Sequence, residues 1–225
     1  MPAGSSRPAS LASNGSGEFD CAASPNVNAA TVATLAAGAF IDAGEPLCLI
    51  GDSGTGKSHL LIGTGTAACE AGRRVRYVTC AALVNELAEA ADDHVLSRTV
   101  ARYGRLDLLC LDELGYVHLD PRGAELLFQV ITEREERASV ACASNASFGD
   151  WGATFPDPRL AAAVVGRLTF RALIIETGSD SYRLRTTRAN RARGGRESLQ
   201  RQDVPGPDAQ TSTSRDLAEG PGDGA

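Results

Sequence analysis

The stretch Gly51-Asp52-Ser53-Gly54-Thr55-Gly56-Lys57-Ser58 satisfies every fixed position of the phosphate-binding pattern G-x-x-x-x-G-K-[ST], and no other feature restricts the fold so tightly. Such a loop works only between a strand and a helix. Pro46-Leu47-Cys48-Leu49-Ile50 is a short apolar run suited to a buried parallel strand, and His59-Leu60-Leu61-Ile62 opens a helical pattern, so both flanks are present. Glycines let the backbone wrap closely around a polyphosphate, with successive N–H groups and the helix N-terminus aimed at negative charge. The motif gives Lys57 the terminal phosphates and Ser58 the hydroxyl that holds magnesium. Lys57 is the single lysine among 22 basic residues. The competing reading is a glycine-rich turn between core elements, which the strand and helix flanks disfavour.

A chain of 225 residues with 43% hydrophobic and 22% charged content can bury a sizeable core, and one compact domain with tails is expected. A net charge of −6 excludes a uniformly basic nucleic-acid binder while leaving room for local basic patches. The first residues lack the basic-then-apolar order of a signal peptide, and no apolar run is long enough to span a bilayer, so a cytoplasmic location is expected. The six cysteines, at positions 21, 48, 69, 80, 110 and 142, form no C-x-x-C pair and read as small buried thiols. His59, His94 and His118 lie far apart and pair with no cysteine at ligand spacing, which argues against a zinc site.

Residues 1–18 are rich in Ser, Gly, Ala and Pro and read as a disordered leader. Apolar residues at helical spacing from Asn28 to Ile41 predict one helix leading into the loop strand. The helix after the loop should stop at Gly72. A strand comes next over Arg74–Thr79, then a helix over Ala81–Ala91 and another over His94–Tyr103. Asp107–Glu113 is a hydrophobic strand ending in two acids, and Asp120-Pro121 is a helix cap followed by proline in the first turn. Ser139–Ala143 and Arg171–Ile175 supply two more strands. Alternating strands and helices indicate an α/β sandwich in three layers, a parallel sheet with helices on both faces.

Asp112-Glu113 stands at the carboxyl end of its strand, where ligands of open α/β sheets gather. In a phosphate-loop nucleotidase the first acid, Asp112, holds magnesium through water, and the second, Glu113, orients and deprotonates the attacking water. Two adjacent acids alone more often make a solvated turn; the phosphate loop reverses that balance.

Further blocks carry a resemblance. Leu83-Val84-Asn85-Glu86-Leu87, Leu111-Asp112-Glu113-Leu114-Gly115-Tyr116, Gly123–Gln129 and Ser144-Asn145 come after the loop in order. Phe148-Gly149-Asp150-Trp151-Gly152, Asp157-Pro158, Ala161-Ala162-Ala163, Arg167-Leu168 and Ser181–Leu184 continue the series. From residue 19 to about residue 185 the chain resembles the IstB-type helper ATPases of insertion sequences, AAA+ proteins related to DnaC-type helicase loaders.

The resemblance implies a P-loop AAA+ core that binds ATP with Mg2+ in the cradle of residues 51–58 and hydrolyses it. It implies assembly as a homo-oligomer on DNA, where the protein recruits or positions a transposase. On that pattern Asn145 is the polar sensor beside the γ-phosphate, and Arg167 reaches the neighbouring subunit's ATP. Without the resemblance, Asn145 is a turn residue and Arg167 a surface arginine on a helix. Where the family carries an N-terminal helical segment, this chain has its leader, and Gly166 stands where an acid is usual. Residues 186–225 read as a disordered tail, first arginine-rich (Arg188, Arg191, Arg193, Arg196, Arg201) and then acidic; its basic half could contact DNA phosphates. The alternatives are a DnaC-like helicase loader, a nucleotide-binding remnant without turnover, and a small-molecule phosphotransferase.

Overall fold

The computed structural model describes residues 27–116, 118–179 and 181. The expected leader and tail lie outside the described residues, as does Cys21. The sheet has five strands: β1 (Leu47–Gly51), β2 (Val75–Thr79), β3 (Leu108–Leu114), β4 (Ser139–Ser144) and β5 (Leu173–Gly178), in the order β2-β3-β4-β1-β5. Every pairing is parallel. The helices are α1 (Ala29–Ala37), α2 (Ala39–Asp42), α3 (Lys57–Glu70), α4 (Cys80–Asp92), α5 (Leu96–Gly104), α6 (Pro121–Arg134) and α7 (Pro158–Thr169).

The apolar runs explain why helices cover both faces. Side chains alternate along a strand, so Leu47 and Leu49 of β1, Leu108 and Cys110 of β3, and Ala141 and Ala143 of β4 pack against α1, α2 and α3. Their neighbours Cys48, Leu109, Leu111, Val140 and Cys142 pack on the opposite face, against α4, α5, α6 and α7. Leu47, Leu49, Leu60, Leu61, Leu83 and Leu87 are all fully buried, and each contributes about 1.5–3 kcal/mol of hydrophobic stabilisation. The three-layer α/β sandwich with a parallel sheet is therefore as expected.

Several local expectations change. The helix predicted from Asn28 to Ile41 is broken at Gly38, whose φ of 69° turns the chain between α1 and α2. A Cβ at Gly38 would lie 2.7 Å from Arg73 Nη1, and Arg73 pairs with Asp42 at 2.7 Å, so the break lets an arginine from outside α2 reach it. Between β4 and β5 the sequence pattern bounded no element, placing only Arg167 on a helix; a 3-10 turn (Phe148–Ala153) and α7 stand there. The signal for α7 is Asp157-Pro158, the same N-cap and first-turn proline that open α6 at Asp120-Pro121. Cys48, Cys80, Cys110 and Cys142 are buried as expected, and burial pushes the Cys80 and Cys110 thiols up to about 12, whereas Cys69 is exposed near the end of α3.

One structural residue carried no signal. Arg134, the last residue of α6, is 1% exposed. Its guanidinium donates to the carbonyls of Tyr103, Leu106 (3.1 Å) and Ser139 (2.6 Å), tying α5, the entry to β3 and the start of β4 together. Burial lowers its pKa to about 10, so it remains a cation at neutral pH. Arg134→Met keeps most of the apolar stem and orphans these carbonyls. It should cost roughly 3 kcal/mol, read as a lower urea midpoint at unchanged slope.

Candidate functional site

A parallel sheet presents the carboxyl ends of its strands at one edge, and here the registers are level. Cys48 of β1 pairs with Cys142 of β4, which pairs with Leu111 of β3. Gly51 and Asn145 therefore both lie three residues beyond that row, and Asp112 and Glu113 one and two beyond it. Strand β4 lies between β1 and β3 in space, although the strand between them in sequence is β2. The helix leaving β1, α3, covers one face and the helix leaving β4, α7, the other, so the loop stands where adjacent connections diverge.

The phosphate loop is braced from β5. The backbone N–H of Asp52 donates to Gly178 O at 3.0 Å. The Thr55 hydroxyl is 2.6 Å from that of Thr177, a residue 4% exposed, and also donates to Asp52 O at 2.8 Å. Gly51 has φ 154°, and a Cβ there would meet Thr177 Oγ1 at 2.4 Å and Gly178 O at 2.8 Å. Lys57 is 6% exposed, and its ammonium donates to Gly51 O and Asp52 O, both at 2.7 Å. Side chains of Asn28, Thr79, Asp120 and Asp157 cap α1, α4, α6 and α7. In α3 the cap position is Gly56, at φ 94°, with no side-chain cap. The positive end of the α3 dipole lies there and favours an anion, which fits a polyphosphate. Gly54 (φ 84°) faces Ser181, whose Oγ would lie 2.3 Å from an added Cβ.

The acid pair sits on a bulge. Between Leu111 and Leu114 strand β3 uses three steps where β4, from Cys142 to Ser144, uses two. Glu113 takes φ 59° and is exposed, whereas Asp112 is 4% exposed. Asp112 Oδ1 accepts the Glu113 backbone N–H at 2.8 Å, and Oδ2 accepts the Tyr77 hydroxyl at 2.6 Å. Burial and the adjacent carboxylate push the Tyr77 phenol up, which keeps it a donor. Each carboxylate oxygen retains a further lone pair. Asp112 lies on the sheet face covered by α3, as Cys110 does, and Ser58 stands in the first turn of α3. A hydroxyl and a carboxylate beside a phosphate cradle are the hard oxygen donors that Mg2+ takes.

Asn145 directly follows β4 and is exposed. Its turn is anchored by Trp151, the chain's one tryptophan, which is fully buried and donates to Ser144 Oγ at 3.1 Å. Ser144 Oγ also accepts the Ala146 backbone N–H at 3.1 Å and donates to Ala146 O at 2.8 Å. Gly115 lets the chain after β3 pass this knot, since a Cβ there would meet Ser144 Oγ at 3.0 Å.

The structure brings residues 51–58, Asp112, Glu113 and Asn145 to one edge and leaves Arg167 at the other. Arg167 is in the last turn of α7 and lines a cleft with Gly44, Pro46 and Ala138, which lead into β1 and β4. The length of β1, roughly 16 Å at 3.3 Å per residue, separates it from its own loop. Its guanidinium stacks on Phe128 at 4.6 Å, and Nη1 donates to Ala163 O at 3.3 Å. Nε lies 2.9 Å from Glu135 Oε2 but without hydrogen-bond alignment, so the contact is an ion pair. Sequence reasoning gives Thr177, Tyr77 and Trp151 no role in the site, although Trp151 stands inside one of the blocks that carry the resemblance.

Residues 9–190 match the family described as IstB-like ATP binding protein. The chain is 38% identical over 170 residues to the insertion sequence IS5376 putative ATP-binding protein of Geobacillus stearothermophilus, covering 76% of this chain and 68% of that one. It is 34% identical over 171 residues to the IS21 putative ATP-binding protein of Pseudomonas aeruginosa, covering 76% and 64%. The chain thus spans about two thirds of the length of these curated relatives. The solved structure of DnaI superposes with a TM-score of 0.56 at 19% identity, covering 67% of this chain and 86% of that one, which shows a shared fold. That fold is the AAA+-like P-loop sandwich.

Thr177→Val removes the brace hydroxyl at nearly constant volume. It should cost about 1 kcal/mol of stability, the net worth of one hydrogen bond. Because the loop loses its brace from β5, the substitution should also weaken nucleotide binding several-fold, measured by titration of a fluorescent ATP analogue.

Proposed function

Because the chain belongs to the family of IstB-like ATP binding proteins, we propose that it is an ATPase whose turnover is completed between subunits, and that it serves DNA transposition. The observation that supports this most is the division of the candidate residues between opposite edges of the sheet: a cradle and two acids at one, Arg167 at the other.

In this reading the α3 N-terminus and the loop backbone bind the phosphates, and Lys57 neutralises the terminal ones. Ser58 and Asp112 would hold Mg2+, which supplies charge shielding between phosphates when bound. Glu113 accepts the proton of the attacking water, and Asn145 fixes that water's orientation by a hydrogen bond. Arg167 acts on the nucleotide of the adjacent subunit, where a cation stabilises charge developing on the transferred phosphate. The proposed domain is residues 19–185, with 1–18 and 186–225 as flanking segments. The partners proposed are a second copy of this chain, DNA and a transposase. They are supported by the naming of the relatives as insertion sequence proteins and by the arginines of the tail. No helix among the described residues is long and apolar enough to cross a membrane, and the cytoplasm is the proposed location.

Lys57→Ala should abolish ATP binding, and Glu113→Gln should bind ATP while losing hydrolysis; equilibrium binding and phosphate release measure the two. Parental hydrolysis by Glu113→Gln removes that residue from the mechanism. The subunit arrangement has its own test. Turnover per subunit should rise with protein concentration, and Arg167→Ala should lose about 10³-fold or more, as trans-acting arginines do. Mixing Arg167→Ala with Lys57→Ala should restore part of the activity, since each supplies what the other lacks. Flat specific activity with no rescue, in a parent that hydrolyses ATP, excludes the trans role. A parent that binds ATP without turnover at any concentration, with or without DNA, is a binding protein only.

A further inference from the structure

We infer that Tyr77 is a positioning residue for the metal end of the nucleotide site: its hydroxyl fixes the Asp112 carboxylate in the orientation that magnesium requires. The inference rests on the nucleotide reading above and adds to it a residue from β2, an edge strand separated from β1 by two others.

Three observations converge on it. The first is the bond itself, 2.6 Å from the Tyr77 hydroxyl to Asp112 Oδ2. Phenol to carboxylate is a charge-assisted hydrogen bond, stronger than one between neutral groups. The second is that the other oxygen is also engaged, by the Glu113 N–H at 2.8 Å. With one donor on each oxygen, the carboxylate has no freedom to rotate about its last bond, and the lone pairs that remain point in fixed directions. Donors that orient a ligating group in this way are the outer half of a metal site.

The third observation is where this pair stands relative to α3. Within β2, Val78 packs on the face of α4 and Val75 on the face of α3; Tyr77 is on the same side as Val75. On that face α3 crosses close to the sheet at Gly65, where an added Cβ would lie 3.3 Å from Cys110 Sγ and 3.5 Å from Val75 Cγ1. The Cys110 thiol then meets Leu61 O at 3.8 Å. Helix α3 runs against the strands, so the turn before Leu61 holds Ser58, and two residues after Cys110 on the same face comes Asp112. Ser58, Asp112 and the Tyr77 hydroxyl therefore share one level of one face. Tyr77 is 42% exposed and lies at the sheet margin, so its ring does little for the core. A tyrosine kept for packing would be buried, as Tyr103 is at 2%.

The test is ATP binding by Tyr77→Phe, titrated once in excess EDTA and once across a magnesium series, beside the parent, Asp112→Asn and Lys57→Ala. Tyr77→Phe should leave affinity in EDTA unchanged while lowering the melting temperature of the free protein by the few degrees that one charge-assisted hydrogen bond is worth. It should raise the magnesium concentration giving half of the metal-dependent gain in affinity by about tenfold, the usual effect of removing an outer partner of a metal ligand. Asp112→Asn should lose the metal-dependent gain altogether, and adding Tyr77→Phe to it should change nothing further. A purely structural tyrosine would lower affinity equally with and without metal, and that result overturns the inference. So does a magnesium requirement like the parent's when Lys57→Ala has lost ATP. Parental ATP affinity in Lys57→Ala overturns the nucleotide reading and the inference together.

Discussion

The functional edge depends on the parallel alignment of β1, β4 and β3, which sets Cys48, Cys142 and Leu111 in one row across the sheet. Parallel strands deliver all their carboxyl ends to one side, and just beyond that row stand the loop at Gly51, the turn at Asn145 and the acids at Asp112 and Glu113. A slip of one residue in β4 would reverse the faces on which Ala141, Cys142 and Ala143 lie and strip both cores of their fit. The hydrophobic pattern that stabilises the sheet therefore also positions the chemistry. Because β4 is the strand between loop and acids, two strand spacings of about 4.8 Å each separate β1 from β3.

Strain accumulates just past that row. Glu113 holds a left-handed conformation without being glycine, at a cost of order 1 kcal/mol or more, and the bulge takes Asp112 and Glu113 out of the ladder with β4, while Asp112 stays paired with Thr79 of β2. Two hydrogen bonds on Asp112 hold the distortion in place. The phosphate loop takes its shape without such strain, because Gly51, Gly54 and Gly56 adopt positive φ at no steric cost, and Thr177, the Asp52–Gly178 bond and the buried Lys57 hold it in that one shape. Both segments are supported by an edge strand, β5 for the loop and β2 for the acids, so the outermost strands of the sheet serve its centre.

Arg167 belongs to a different surface. Its stacking on Phe128 and its pairing with Glu135 join the end of α7 to α6 and the residue directly after α6, at the edge where strands begin. No movement of a side chain carries it the length of β1. In the proposed trans arrangement, the cradle on one edge and this arginine on the other would meet head to tail, unlike surfaces of identical copies in contact.

The sequence by itself determined the phosphate loop, the five strands, most helices and the adjacency of Asp112 to Glu113, because local pattern carries all of these. Alternating and continuous apolar runs mark strands, Asp120-Pro121 marks a helix start, and a glycine-rich loop before Lys57 has few other uses. Asp157-Pro158 is legible in the same way, as the start of a helix that the apolar pattern alone did not reveal. The tertiary structure alone decided that β4 enters between β1 and β3, since strand order depends on which faces can be buried together rather than on order in the chain. It alone brought Thr177 to Thr55 and Tyr77 to Asp112, pairs 122 and 35 residues apart. It also decided that Arg134 is buried while Arg167 is surface-paired, although both stand in the last turn of a helix. Nothing local distinguishes two such arginines; the difference is whether the carbonyls of other segments converge on the guanidinium, and only the folded chain brings them there.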